Sequence, residues 1–207
     1  MSLGDSVKAL KDYMDGKKKK ADDERSAAER RKEAEATRTA KQRSILELEA
    51  LKTRLETLTL KLGTQAGGYE FQKWFYDLMD YFDVVNRRPY VADERQIDGS
   101  VTIDGTTYLI ELKFTTGQSD ATDIDSLVAK VNSKADNTMG IMVSISGYSS
   151  VAINQASSAR SPLLLIDHSH IFYVLMGGDT FAEVITRIRR HSAQEGKAYL
   201  PVVKFGG

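Results

Sequence analysis

Residues 96–113 read QIDGSVTIDGTTYLIELK, two acids and a lysine set among alternating apolar residues with Asp104-Gly105 in the middle. An Asp-Gly pair flanked by such alternation signals a tight hairpin, because a type I′ turn needs positive φ at both central positions. With Asp104 and Gly105 as the loop, cross-strand partners have numbers summing to 209. Val101 then faces Tyr108, Ile97 faces Leu112, Asp98 faces Glu111 and Gln96 faces Lys113. Alternation puts Ile97, Val101, Ile103, Tyr108, Ile110, Leu112 and Phe114 on one face, a core face. The opposite face takes Gln96, Asp98, Ser100, Thr102, Thr107, Glu111 and Lys113, with Leu109 the single apolar exception.

Two carboxylates directly opposite one another lie about 5 Å apart at Cβ, and like charges there are destabilising. A cation between them removes the conflict. Mg²⁺ takes oxygen ligands, commonly one or two carboxylates with water and substrate phosphate. Lys113, two residues along on the same face, points at the same spot and suits developing negative charge at a phosphoryl centre. A solvated sheet face carrying an Asp–Lys–Glu charge cluster is the alternative.

The chain has 207 residues, 41% of them hydrophobic, enough for one core and an appendage. It has no cysteine, which excludes a disulfide framework and a thiolate metal site. No apolar run reaches membrane-spanning length and the N-terminus has no signal-peptide stretch, so a cytoplasmic location is expected. The formal charge of zero hides a split: residues 1–63 carry 16 Lys and Arg against 12 Asp and Glu, leaving 13 against 17 for 64–207. That balance argues against a simple DNA-coating module, which is usually basic. It tells less against an enzyme whose acidic site binds metal, because a bound divalent ion inverts the local sign.

The chain divides near residue 63. Residues 17–62 lack glycine and proline and are rich in helix formers, a helix of about 70 Å. Leu48, Leu51, Leu55, Leu58 and Leu62 step by 3, 4, 3 and 4, a heptad seam that pairs two copies of the chain or packs on the following domain. From 64 to 207 the pattern predicts a helix over 69–81, a strand over 84–91, the hairpin, a helix over 122–135, a strand over 140–146 and a short helix over 149–159. Strands at 162–166 and 171–175 follow, around a DHSH turn. A last helix over 179–193 opens on a Thr180–Glu183 capping box. This is an α/β fold, a mixed β-sheet flanked by helices and preceded by a long, coiled-coil-like N-terminal helix.

A helix, a strand, a hairpin bearing D…ExK, a helix and a strand, carried by GYEFQKWFYDLM (68–79), RQIDGSV (95–101), YLIELKF (108–114), GIMVSISGYSSVAINQA (140–156) and LLLIDHSHIFYVL (163–175), resembles the PD-(D/E)xK nuclease superfamily, in particular its Mrr-like restriction endonuclease branch. The resemblance covers 68–193. It implies a restriction-endonuclease-like domain that hydrolyses DNA phosphodiester bonds with Mg²⁺ or Mn²⁺. It implies that Asp98, Glu111 and the Leu112 carbonyl hold the metal, helped by Glu70 from the first helix, while Lys113 positions or activates the attacking water. Ile97 stands where the motif often has proline. The alternative is a non-catalytic nuclease-fold module that binds DNA or protein through the N-terminal helix.

Other groups are weaker candidates. Lys130 and Lys134, with Arg187 and Arg190 in the basic run of the last helix, are candidate DNA contacts. KKKK at 17–20 either touches phosphate or solvates a helix end. His168 and His170 lack a third ligand for zinc, and SGYS (146–149) lacks the G-x-S-x-G form of a nucleophile turn. A homodimer or higher oligomer through Leu48–Leu62 is expected, and a dimer suits an enzyme that cuts two strands.

Overall fold

The Asp104-Gly105 turn forms with both residues at positive φ, 49° and 73°. Around it, β4 (Ser100–Ile103) and β5 (Thr106–Lys113) pair in the expected register, Val101 with Tyr108 and Ile103 with Thr106. The computed structural model describes residues 32, 33, 35, 37–39, 41, 42, 44–92, 95–97, 99–157 and 162–206, with backbone alone at 90–92 and 95–97. It divides into two units, Met1–Glu47 and Leu48–Gly207. In the first, the described residues are helical; the KKKK run lies outside the described residues.

In the second unit, β1 (Val85–Arg87), β4, β5, β6 (Thr138–Ser144) and β7 (Leu163–Asp167) form one sheet in the order β1-β4-β5-β6-β7. β1 and β4 pair antiparallel, as do β4 and β5, and β5, β6 and β7 run parallel. The hairpin register breaks at Gly99. Its carbonyl still accepts the Ile110 N–H at 2.9 Å, but its φ of 113° belongs to glycine. A Cβ there would meet the Tyr76 hydroxyl at 2.1 Å. Upstream of this break, β3 (Arg95–Ile97) pairs with β2 (Tyr90–Ala92) in a separate two-stranded sheet. Gln96 therefore pairs with Val91 and Ile97 with Tyr90, which corrects the expected partners Lys113 and Leu112. β3 still lies beside β5. The expected Asp98–Glu111 pair lies outside the described residues.

Both faces of the sheet are covered. On one, Val101, Ile103, Tyr108, Ile110, Ile141, Val143, Leu164 and Ile166 form the main core with α2 (Gln65–Tyr81), α5 (His168–Leu175) and α6 (Phe181–Glu195). On the other, Leu109, Met142, Leu163 and Leu165 pack with Ile124, Leu127 and Val131 of α3 (Ala121–Asn132) and with Ala152 and Ala156 of α4 (Ser150–Ala156). Leu109, the apolar exception on the polar face, is thereby accounted for. Only the ends of that face are polar, because α3 and α4, the crossovers of the parallel strands, cover its centre.

The leucine seam is used inside the chain. Residues 48–59 form α1, where Leu51, Leu55 and Leu58 are buried in the main core and Leu48 and Leu62 pack against it. The stripe that reads as a dimer zipper thus meets α2, whose Trp74 indole N–H donates to the Leu51 carbonyl at 2.8 Å. Residues 48–62 belong with the α/β unit, upstream of the sequence divide at 63.

The 171–175 segment is helical, against the expectation of a strand. Asp167 caps α5 by accepting from the Ser169 N–H at 2.9 Å, and His170 completes a capping box. Ile171, Val174 and Leu175 are buried at i, i+3 and i+4, a helical period inside a run too short and apolar to announce it. The Thr180–Glu183 capping box forms as expected. Among the described residues no helix is long and apolar enough to cross a membrane.

Candidate active site

Glu111 and Lys113 stand at the C-terminal end of β5, on the face covered by α3, where open α/β sheets place their ligands. Lys113 Nζ lies 3.5 Å from Glu111 Oε1 and 2.7 Å from Asp123 Oδ1, and Lys130 Nζ donates to Glu111 Oε2 at 2.6 Å. Four alternating charges, Asp123, Lys113, Glu111 and Lys130, thus form one chain. The Glu111 side chain is only 12% exposed, so these contacts are weakly screened.

α3 explains the arrangement. Its apolar stripe, Ile124, Leu127 and Val131, docks on Leu109 and Met142. Asp123 and Lys130 each precede a residue of that stripe and stand seven positions, two turns, apart on its flank. They reach Lys113 and Glu111, two residues apart on β5. Asp123 also holds the helix end, because its Oδ2 accepts the Asp120 N–H at 3.2 Å. Sequence reading did not find Asp123. Opposite charges at i and i+7 flanking the stripe were the available signal, but the strand they would meet is known only from the fold.

Burial works to lower the pKa of Lys113. The hydrogen bond to Asp123 and the charges of Glu111 and Asp123 outweigh it, holding the ammonium above the ordinary lysine value. Lys113 is therefore a cation at neutral pH. It suits stabilisation of negative charge rather than proton abstraction.

Other candidates fall elsewhere. Glu70 is exposed and bound by Lys61, whose Nζ lies 2.6 Å from Oε1 and 2.8 Å from Oε2, and no described contact joins it to Glu111. Lys130, a candidate DNA contact, pairs with Glu111, its Nζ 2.6 Å from Oε2. Arg187 is held within the fold by the Phe205 carbonyl and Asp179, both at 2.7 Å, and stacks over the Phe205 ring. Arg190 lines a surface groove of about 410 Å³ with Asp104, Asp179, Glu183 and Thr186. Lys134 follows α3, past Ser133. His168 is exposed and His170 buried, so they do not meet as ligands.

Asp167, at the end of β7, gathers a second polar cluster. It accepts from Ser169 Oγ and Tyr199 Oη, both at 2.5 Å, and lies 2.8 Å from His170 Nδ1, while His170 Nε2 lies 2.8 Å from the Leu200 carbonyl. Burial pushes the Asp167 carboxyl up, but hydrogen bonds from His170, Ser169 and Tyr199 outweigh it and hold it far below the carboxylate range. Burial and the Asp167 carboxylate raise the Tyr199 phenol. The cluster ties the C-terminal segment to the edge of the sheet.

The order α2, β1, β4–β5 hairpin, α3 and β6, with Glu111 and Lys113 ending the second hairpin strand, is the core order the resemblance implies. The fold is a mixed five-stranded sheet flanked by helices. The sequence matches no family model and no curated protein. Among solved structures, the chain is similar to a repair endonuclease from Pyrococcus abyssi, at 17% identity and a TM-score of 0.33 over 41% of this chain and 38% of that one. It is also similar to the DNA modification-dependent restriction endonuclease AspBHI, at 16% identity and a TM-score of 0.45 over 72% of this chain and 40% of that one. It spans less than half the length of either protein.

Proposed function

We propose that the chain is a metal-dependent endonuclease that hydrolyses DNA phosphodiester bonds, of the Mrr-like kind. The observation that supports this most is the placement of Glu111 and Lys113 side by side at the end of a parallel strand, both partly buried, with Lys113 Nζ 3.5 Å from Glu111 Oε1. Hard carboxylate oxygens in such a position fit Mg²⁺ or Mn²⁺. Glu111, the Leu112 carbonyl and Asp98 are the proposed holders; Gly99, next to Asp98 in sequence, is hydrogen-bonded to Ile110, next to Glu111. When bound, the ion would polarise a phosphodiester oxygen and lower the pKa of coordinated water.

The rest of the chemistry belongs to the side chains. The Lys113 ammonium, held by Asp123, stabilises negative charge developing on the phosphate and orients the attacking water by hydrogen bonding. Its distance from Glu111 keeps it beside any group that carboxylate holds. α3 fixes both residues through Asp123 and Lys130, so the site rests on a packed helix and strand rather than on loops.

One observation favours the alternative of a non-catalytic DNA- or protein-binding module. The chain of four charges is neutral as it stands, as a structural ion-pair network is. Plasmid cleavage with Mg²⁺ or Mn²⁺ separates the two. The nuclease reading expects metal-dependent cutting by the parent that is lost in Glu111→Ala; a folded parent that never cuts plasmid DNA with either ion removes it.

A further inference from the structure

Lys130 sits where a cation bound by Glu111 would sit. Its Nζ lies 2.6 Å from Glu111 Oε2, closer than the 3.5 Å between Lys113 Nζ and Oε1. A Mg²⁺ or Mn²⁺ ion on that carboxylate would stand about 2.0–2.2 Å from its oxygen. Two cations held so close on one partly buried group repel strongly, because little water screens them. Occupation by the ammonium and by the metal therefore exclude each other.

Resting on the metal-site reading above, we propose that Lys130 is a displaceable counter-cation of Glu111. It neutralises the carboxylate before metal arrives and must withdraw for a divalent ion to bind. The two lysines differ in this respect. Lys113 keeps Asp123 at 2.7 Å when Glu111 turns to another cation. Among the described residues, Lys130 has Glu111 as its one acidic partner. It also stands on the flank of α3, outside the buried stripe of Ile124, Leu127 and Val131. A lysine stem rotates about several bonds, so the ammonium can swing out while the helix stays docked.

Displacement has a consequence for substrate. Once released, the Lys130 ammonium is a free cation beside the site, available to a phosphodiester bound there. Metal and polyanion binding then support each other, since each favours the withdrawn lysine, and the coupling is reciprocal. The resting ion pair in turn lets the protein fold without metal and without two uncompensated charges.

Calorimetric titration of Mn²⁺, without DNA, into the folded full chain tests this. Lys130→Met should bind Mn²⁺ at least about tenfold more tightly than the parent, since the competing charge is gone. Lys130→Arg, which keeps the charge, should stay within about threefold of the parent. Lys130→Gln replaces the Met variant if that one does not fold. Adding Glu111→Ala to Lys130→Met should abolish the gain. Equal or weaker Mn²⁺ binding by folded Lys130→Met overturns the counter-cation role and leaves the metal site standing. No Mn²⁺ binding by folded parent and variant alike removes both.

Discussion

The indole N–H of Trp74 donates to the Leu51 carbonyl at 2.8 Å, a buried hydrogen bond that joins α1 to α2 across 23 residues. Leu55, one turn further along α1, is 1% exposed in the same core. The leucine seam is thus part of the monomer's interior. Leu55→Ala should lower the unfolding free energy by about 2–5 kcal/mol, as for other buried leucines. Urea denaturation measures this. The midpoint should not depend on protein concentration, whereas a seam between two chains would make it do so.

Asp123 holds Lys113 with one oxygen and the Asp120 amide with the other. In Asp123→Asn the remaining oxygen can still serve the helix end, but the charge that fixes Lys113 is lost. On the nuclease reading, kcat for plasmid cleavage should fall by about 10–100-fold with little change in Tm. A fall in Tm that accounts for the lost activity would mark Asp123 as a cap alone.

Acid should loosen the Asp167 cluster. The folded carboxyl has a lowered pKa, so protons bind the unfolded chain first, at about pH 4. Its contribution is therefore present above about pH 4 and lost as pH falls towards the folded value. Asp167→Asn should be less stable at neutral pH and should lose less stability between about pH 4 and pH 2. Urea unfolding over that range compares the two slopes, and parallel slopes would count against the assignment.

Gly99 is constrained both by its φ of 113° and by the Tyr76 hydroxyl, 2.1 Å from where a Cβ would stand. Gly99→Ala should cost about 1–3 kcal/mol or more. Tyr76→Phe in the same chain should recover only part of it, because the Arg87 carbonyl also stands 2.4 Å from that Cβ. Thermal melts of the single and double variants give the comparison. A neutral Gly99→Ala would mean the chain bends differently at this point.

Local chemistry determined what the sequence showed by itself. The Asp104-Gly105 turn, the register of 100–103 on 106–109, the apolar face of β5 and the Thr180 cap each depend on residues a few positions apart, and all form as read. The presence of Glu111 and Lys113 on one face follows from the two-residue period of a strand. Tertiary packing decided the rest. A heptad stripe is apolar towards any partner, so only the fold could show that Leu51, Leu55 and Leu58 meet α2 rather than a second chain. Alternation carried the hairpin register past Gly99 to Gln96 and Lys113, but the positive φ and the Tyr76 hydroxyl end that ladder, and β3 turns to β2. Asp123 and Lys130 are ten or more residues from Lys113 and Glu111 in sequence. They become partners because the stripe of α3 docks on Leu109 and Met142, and a side chain's charge says nothing of which distant charge a docked helix will bring to it.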